Sequence, residues 1–468
     1  MKKFLTVFIV VGISIMAVPF VAMIFRPTTE TTDNRKQADF PRVTDPKGGL
    51  NLGFFTGFEN WFKDHFAFRN ELIAADAGIQ NGIFKVSNVD GVISGKDGWM
   101  FYSSTLNDYL GTDRLSDREI YNVAHNLSIA YEYVKNKGSN FVLTIPANKN
   151  TLYGENMPYY DSYIVDNVHN VDVLTPLLQD MDIPYADLVK TFKDEEEVLY
   201  LKTDSHWNNR GAILAYNTIM DSLGLAHNDY SDVNTRKEKG PSGDLGRMMY
   251  TFYGPSEENY WFDIPQDFEY QGNFKSVEDS TIQTTGSGGN GKLLMYRDSF
   301  GNTLIPLIAN EFSEGYFSKS NVYTLERQMD ELSPDTVVFE KVERNIREFI
   351  TMPPVISAPV FEGVLPGETA DGTPEEKPDS TITLKTLEAD YDFFEISGEV
   401  DKELLENNTD ILIELNGTVY KAYHVGDNGF ALYLKKETVT LPAVAKVIVT
   451  GNITQAVEVK TLDSDETY

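Results

Sequence analysis

KLLMYRDSFG, residues 292–301, reads as a buried strand that stops at a polar turn. Lys292–Tyr296 is the expected strand, and Thr303–Phe312 has the apolar patterning of a helix that follows it. Ser299 therefore falls at a strand-to-helix turn, where free backbone N–H groups and the positive helix end favour a developing oxyanion. Gly301 lets backbone approach closely at the same turn. The bland reading of Asp298-Ser299 is a helix N-cap.

Working outward, further strands are expected at Phe141–Ile145, Val198–Leu201, Val322–Leu325 and Thr336–Phe339. The clearest helix opens at Ser116-Asp-Arg-Glu119, a capping box in which each end satisfies an orphan backbone donor. Its apolar face, Ile120, Val123, Ala124, Leu127, Tyr131 and Val134, keeps the helical period as far as Gly138. A second helix starts at Asn208 or Asn209 and ends at Gly224. Strands alternating with helices imply an α/β domain whose mainly parallel sheet is covered on both faces.

Thr203-Asp204-Ser205-His206-Trp207 lies between the expected strand Val198–Leu201 and that second helix. In extended backbone, residues i and i+2 share a side, so Asp204 and His206 project together from a strand end, where parallel sheets place their sites. An Asp beside a His can fix its tautomer and stabilise its charged form. A serine is a weak nucleophile without a positioned base. Of the six histidines, His206 has the best-placed carboxylate, with His65 next, in Trp61–Phe66. Zinc binding through Asp204 and His206 lacks a third and fourth ligand, so no metal or cofactor is expected. Gly286-Ser-Gly-Gly-Asn-Gly291-Lys292 looks like a phosphate loop, but Leu293 stands where Ser or Thr is needed and a strand follows instead of a helix; a surface loop is expected.

The chain has 468 residues, a formal charge of −31 and no cysteine. The acidity argues against a nucleic-acid partner, and the missing thiols exclude cysteine nucleophiles, thiolate metal sites and disulfides. Lys2 and Lys3 precede the apolar run Phe4–Phe25, 22 residues long, which at about 1.5 Å each can cross a hydrocarbon layer of about 30 Å. The lysines favour a cytoplasmic N-terminus and an extracytoplasmic remainder. The expectation is a single-pass membrane anchor over residues 1–26, with a cleaved signal segment and secretion as the alternative. Residues 27–50 read as a stalk, 51–355 as the catalytic domain and 356–380 as a linker, densest in Pro, Gly and acid at Leu365–Ser380. Residues 381–468 show short strands, with Asn416-Gly417 as a two-residue hairpin turn, and read as a separate β-sandwich that could bind carbohydrate. The aromatic stretch Tyr250–Tyr270, with Tyr253, Tyr260, Trp261 and Phe262, suits a sugar groove or the packing of a long insertion.

Thr203–Trp207 with the later Asp298-Ser299-Phe300 resembles the alginate O-acetyltransferase (AlgX/AlgJ-like) and DHHW protein group. Trp61–Arg69, Pro146–Tyr153, Gly243-Asp244-Leu245 and Glu343-Arg344 resemble that group's segments too. The resemblance implies a circularly permuted, SGNH-hydrolase-like three-layer fold with Ser299 as nucleophile and His206 and Asp204 as its acid–base pair. It implies an O-acetyltransferase, or an esterase using the same triad, acting on a cell-surface or secreted polysaccharide, with acetyl supplied by a membrane O-acyltransferase. Ser205 stands where the group has His, and Arg297 stands where ordinary SGNH esterases have Gly. Asn148 is the candidate oxyanion donor, and Lys149, Gly301, Arg297 and Trp207 are candidate substrate-binding residues. The rival from another class is a non-catalytic surface protein that binds glycan or a partner.

Overall fold

The computed structural model describes residues 2–30, 36–45, 47–320, 324–363, 381–386, 392–450 and 455–463. Its helices used below are α1 (Lys2–Ala22), α2 (Phe54–His65), α3 (Arg69–Ile79), α4 (Asp117–Asn136), α5 (Lys149–Tyr153), α6 (Asn209–Leu223), α7 (Asp244–Tyr250) and α8 (Leu325–Leu332). The central strands are β1 (Asn140–Thr144), β2 (Tyr185–Ala186), β3 (Phe268–Tyr270), β4 (Thr281–Gly286), β5 (Lys292–Tyr296), β6 (Glu314–Ser318) and β7 (Thr336–Glu340).

These seven form one sheet in the order β2-β1-β7-β5-β6-β4-β3. The first five run parallel, while β4 and β3 are antiparallel additions at one edge. Alternation along each strand splits the core in two. Leu294, Tyr296, Phe141, Leu143, Val337 and Phe339 face α4, whose expected apolar residues lie in the same cluster. Leu293, Met295, Val142 and Val338 face α6 and Ile305–Ile308 on the other side. The domain is thus a three-layer α/β sandwich whose strand ends Thr144, Tyr296 and Glu340 share one edge.

Three expectations need correction. Val198–Leu201 is no strand: within it only Tyr200 pairs, in an isolated antiparallel bridge to Trp207. Asn208 N–H donates to Leu199 O at 2.7 Å and Leu201 N–H to His206 O at 3.2 Å, so the chain doubles back on itself and never joins the sheet. Of Val322–Leu325, residues 322 and 323 lie outside the described residues, and Leu325 opens α8, where Leu325, Met329 and Leu332 share a helical face. Past Ser299 the backbone makes a 3₁₀ turn, Phe300–Thr303, and then a short helix, Ile305–Ala309, with Pro306 in its first turn.

The C-terminal strands pair as two four-stranded antiparallel sheets. Ile396, Ile411, Ile413, Phe430, Leu432, Val447 and Val449 fill the space between them. Asn416 and Gly417 take φ of 50° and 86°, as a two-residue hairpin turn requires. Residues 364–380, most of the expected linker, lie outside the described residues, but Ala358 N–H bonds Tyr433 O at 2.8 Å and runs beside the sandwich. The sandwich rests on the polar face of α4. Asn122 Nδ2 donates to Gly426 O (2.9 Å), Asn126 Nδ2 to His424 O (2.8 Å), and the His125 and His424 rings stack at 3.9 Å.

Candidate active site

The backbone of β5 continues into Arg297-Asp298-Ser299, and the sheet itself fixes this turn. Asp298 N–H donates to Glu340 Oε2 (2.8 Å), while its carboxylate accepts from Phe300 N–H (2.9 Å) and Val342 N–H (2.8 Å). The serine turn is thereby stitched to the end of the neighbouring strand β7. Burial, followed by the adjacent Asp298 charge, holds the Glu340 carboxyl far above its ordinary range. Arg297 is buried and works inside the turn, donating to Asn302 Oδ1 (2.6 Å) and to the carbonyls of Val277 (2.9 Å) and Asp279 (3.0 Å). Gly301 is sterically required, since a Cβ there would sit 2.8 Å from Arg297 Cβ.

The histidine comes from the loop that doubles back between Leu201 and Trp207. Without a sheet beneath it, side chains from three distant segments grip it. Lys149 Nζ donates to the carbonyls of Leu201 (3.0 Å), Lys202 (3.0 Å) and Asp204 (2.6 Å). Glu257 accepts from Thr203 N–H (2.9 Å) and Thr203 Oγ1 (2.6 Å), and from Lys202 N–H. Asp244, at the start of α7, accepts from Ser205 N–H (2.7 Å) and Ser205 Oγ (2.5 Å), and its own N–H donates to Asp204 Oδ2 (2.9 Å). Trp207 is fully buried; its Nε1–H donates to Thr303 Oγ1 (2.6 Å), tying the loop to the serine's helix.

Ser299, His206 and Asp204 meet across this gap. His206 Nε2 lies 2.8 Å from Ser299 Oγ, and Nδ1 lies 2.7 Å from Asp204 Oδ1. With a carboxylate at Nδ1, the proton-bearing nitrogen is assigned to that side, and Nε2 accepts from the serine hydroxyl. Burial alone would lower the His206 pKa, but the hydrogen bond and charge of Asp204 outweigh it and raise the pKa above its ordinary value. Asp204 resists the same burial through its bond to His206 and stays well below the usual carboxylate range. The Ser299 N–H has no acceptor among the described residues.

The remaining expected site residues are placed as follows. The Lys149 ammonium, pushed down to about 7 by burial, is committed to its three carbonyls. The side chain of Asn148 donates to Asp108 Oδ2 (3.0 Å), which engages one of its two amide N–H groups. Tyr253 and Trp261 are exposed, while the strand Glu257–Phe262 pairs with Thr235–Gly240 as a separate two-stranded antiparallel sheet. Asp244 stands within ligand distance of Asp204 and His206, but each of the three already has a protein partner at its nearest donor or acceptor. Sequence reasoning assigned no role to Asp244, Glu257 or Glu340. It quoted Glu343-Arg344 as a segment but gave no role to Arg344, whose guanidinium lies 5.5 Å from the Tyr102 ring centre and 5.8 Å from that of Phe300, with no ion pair among the described residues.

Residues 92–268 match the family described as ALGX: SGNH hydrolase-like domain, acetyltransferase AlgX. That stretch holds Asp204, His206 and Asp244 and ends before Ser299. No curated protein matches the chain. Similar solved structures include a DHHW family protein from Eubacterium siraeum, 17% identical, covering 55% of this chain and 93% of that one, with a TM-score of 0.42. Bacillus cereus PatB1 is 15% identical over 55% of this chain and 96% of its own, with a TM-score of 0.43. The O-acetyltransferase domain of Pseudomonas putida AlgJ is 16% identical over 55% and 92%, with a TM-score of 0.37. Over residues 92–268, then, the chain is similar to the SGNH-hydrolase-like domain of the acetyltransferase AlgX family.

Proposed function

We propose that the protein is an extracytoplasmic O-acetyltransferase that modifies a polysaccharide through an acyl-enzyme on Ser299. The observation that carries this reading is the continuous line Ser299 Oγ, His206, Asp204, at 2.8 and 2.7 Å. His206 Nε2 takes the Ser299 proton as Oγ bonds the carbonyl carbon of an acyl donor. The Ser299 N–H is available to the oxyanion that forms. Collapse breaks the bond to the donor's leaving oxygen, which receives the proton from Nε2, and acetyl remains on Ser299. An acceptor hydroxyl then gives its proton to Nε2 and attacks the acyl carbon; the bond to Oγ breaks, and Ser299 Oγ takes the proton back from Nε2. Asp204 stays ionised throughout and stabilises the transient imidazolium.

The choice of transfer over hydrolysis is supported by the acetyltransferase description of the matched family, and the sugar hydroxyl as acceptor follows the resemblance of Thr203–Trp207 and Asp298-Ser299-Phe300 to the alginate O-acetyltransferase group. Residues Leu5–Ala22 of α1 are long and apolar enough to cross a membrane, which suits an anchored enzyme supplied with acetyl by a membrane acyltransferase. The test uses full-length protein in detergent with 4-nitrophenyl acetate, quenched in acid and weighed intact. One added acetyl group on the peptide containing Ser299, discharged faster by an oligosaccharide than by water, is expected. Discharge indifferent to every oligosaccharide offered points to an esterase. Undiminished turnover by a folded Ser299→Ala protein overturns the mechanism.

A further inference from the structure

We propose that α2, α3 and the segments flanking them form a platform seated on the outer surface of the lipid bilayer, so that the triad is held one helix layer above the membrane.

The argument begins at the end of α1. Arg26 N–H still bonds Ala22 O at 2.8 Å, so helical bonding continues for a turn past Ala22. The chain then docks directly. Thr28 N–H donates to His65 O (3.1 Å) and Thr28 Oγ1 to Phe66 O (2.8 Å), while Arg26 pairs with Glu71 at 3.9 Å. Within α1 itself, the Phe20 ring lies 5.8 Å from Phe62 of α2. Phe20 belongs to the stretch apolar enough to span a membrane, so a ring in contact with it must lie at the depth of the bilayer interface. The α2–α3 corner is therefore fixed at the membrane by short contacts.

The chemistry of this region suits that position. Aromatic rings stack along α2, with Phe54, Phe58 and Phe62 at successive turns and Trp61 4.9 Å from Phe40. Aromatic residues concentrate where bilayer meets water. At the two outer ends of the pair, large apolar side chains face solvent: Leu52 is 96% exposed and Phe55 82%, and Ile83 is 70% exposed and Phe84 63%. A soluble surface seldom presents apolar groups so densely. Charge points the same way. From Arg26 to Val86 there are eight basic and eight acidic residues, in a chain whose net charge is −31. This is a neutral segment in a strongly acidic protein, and an anionic leaflet would not repel it.

The platform also reaches the site. Ala77 of α3 packs with Leu245 and Met249 of α7, and Asn81 Nδ2 donates to Tyr250 OH at 2.6 Å. The opposite end of α7 is Asp244, which bonds Asp204 and Ser205. One packed helix, with axes about 10 Å apart, therefore separates the bilayer surface from the catalytic loop. An acyl donor arriving from the membrane would meet the triad without crossing bulk solvent.

Because the chain has no cysteine, single introduced cysteines report position cleanly. Leu52→Cys, Phe55→Cys, Ile83→Cys and, as control, Val444→Cys on the sandwich are labelled with a fluorophore and reconstituted full-length into vesicles of phosphatidylethanolamine and phosphatidylglycerol. Lipids carrying a quencher near the headgroup should quench the first three labels severalfold more than the control. Equal quenching of platform and control labels overturns the proposal. So does protection of the platform labels that disappears on diluting the protein in lipid, because a second copy would then be the occupant.

Discussion

The two halves of the Ser299–His206 pair are mounted in opposite ways. Ser299 extends a central strand, and its turn is bonded to the neighbouring strand end through Asp298 and Glu340. His206 rides on a loop with no strand beneath it, held by Lys149, Asp244 and Glu257 from three separate segments. Backbone ladders on both sides hold the strand that leads into Ser299, and the Asp298 and Glu340 side chains add to them at the turn. The His206 loop has no such ladder beneath it and depends on a few charge-assisted hydrogen bonds, each open to deletion. Rigidity at a site can be inherited from the fold or assembled locally, and only the second kind fails one residue at a time.

The largest effect tests whether the two halves act as one unit. His206→Ala should lower kcat/KM for a chromogenic acetate by about 1,000-fold or more, and Ser299→Ala by a similar factor. The double variant should lose little beyond either single change, because groups acting together are not additive. A double variant tenfold worse than both singles would mean that each half contributes separately.

Next in size is the mounting itself. Lys149→Met removes three N–H···O contacts from the loop carbonyls and leaves a side chain of similar length. Displacing His206 by about 1 Å should cost on the order of 10–100-fold in kcat, with KM for a small ester little changed. The matched change on the serine side, Glu340→Gln, should cost only severalfold, since burial and the Asp298 charge already push that carboxyl far up toward its neutral form, which Gln mimics. If steady-state kinetics of the two variants show equal losses, the contrast between sheet-held and side-chain-held halves does not stand.

What was legible in the sequence follows the same divide. β1, β5 and β7 were readable because buried strands are continuous apolar runs, and α4 because Ser116 and Glu119 do form the capping box, at 3.1 and 2.9 Å. Asp204, His206 and Ser299 were readable because their chemistry is local, an Asp two residues from a His and a serine after a strand. Val198–Leu201 failed as a strand because apolar residues signal burial, and Leu199 and Tyr200 are buried in a hairpin-like reversal. The roles of Asp244, Glu257 and Glu340 were not legible, even though Gly243-Asp244-Leu245 stood out as a segment, because each contact spans about 40 residues or more of chain. Arg297 and Trp207 were expected to meet substrate, and both are buried inside the walls that position the turn.

The smallest predicted effect concerns Arg344, whose guanidinium sits against Phe300, while the Phe300 ring lies 4.8 Å from that of His206. Its positive charge opposes the imidazolium, so it lowers the His206 pKa, although Asp204 and Asp244 together keep the net shift upward. In the proposed mechanism Nε2 must be unprotonated, so kcat/KM should rise with pH through the folded-state His206 pKa, which lies above the ordinary value of about 6.5. Replacing Arg344 with Met removes the opposing charge, so the acid limb should move to higher pH, with a severalfold loss below it. On the alkaline plateau, where Nε2 is already free, the variant should approach wild type. Stability runs the other way: a raised histidine pKa stabilises the fold below its unfolded value, and that contribution is lost as pH rises through the folded pKa. In Arg344→Met the window in which it is lost should move up with the activity limb. A pH–rate profile that drops uniformly, with no shift of the limb, would give Arg344 a contact with substrate in place of a field on His206.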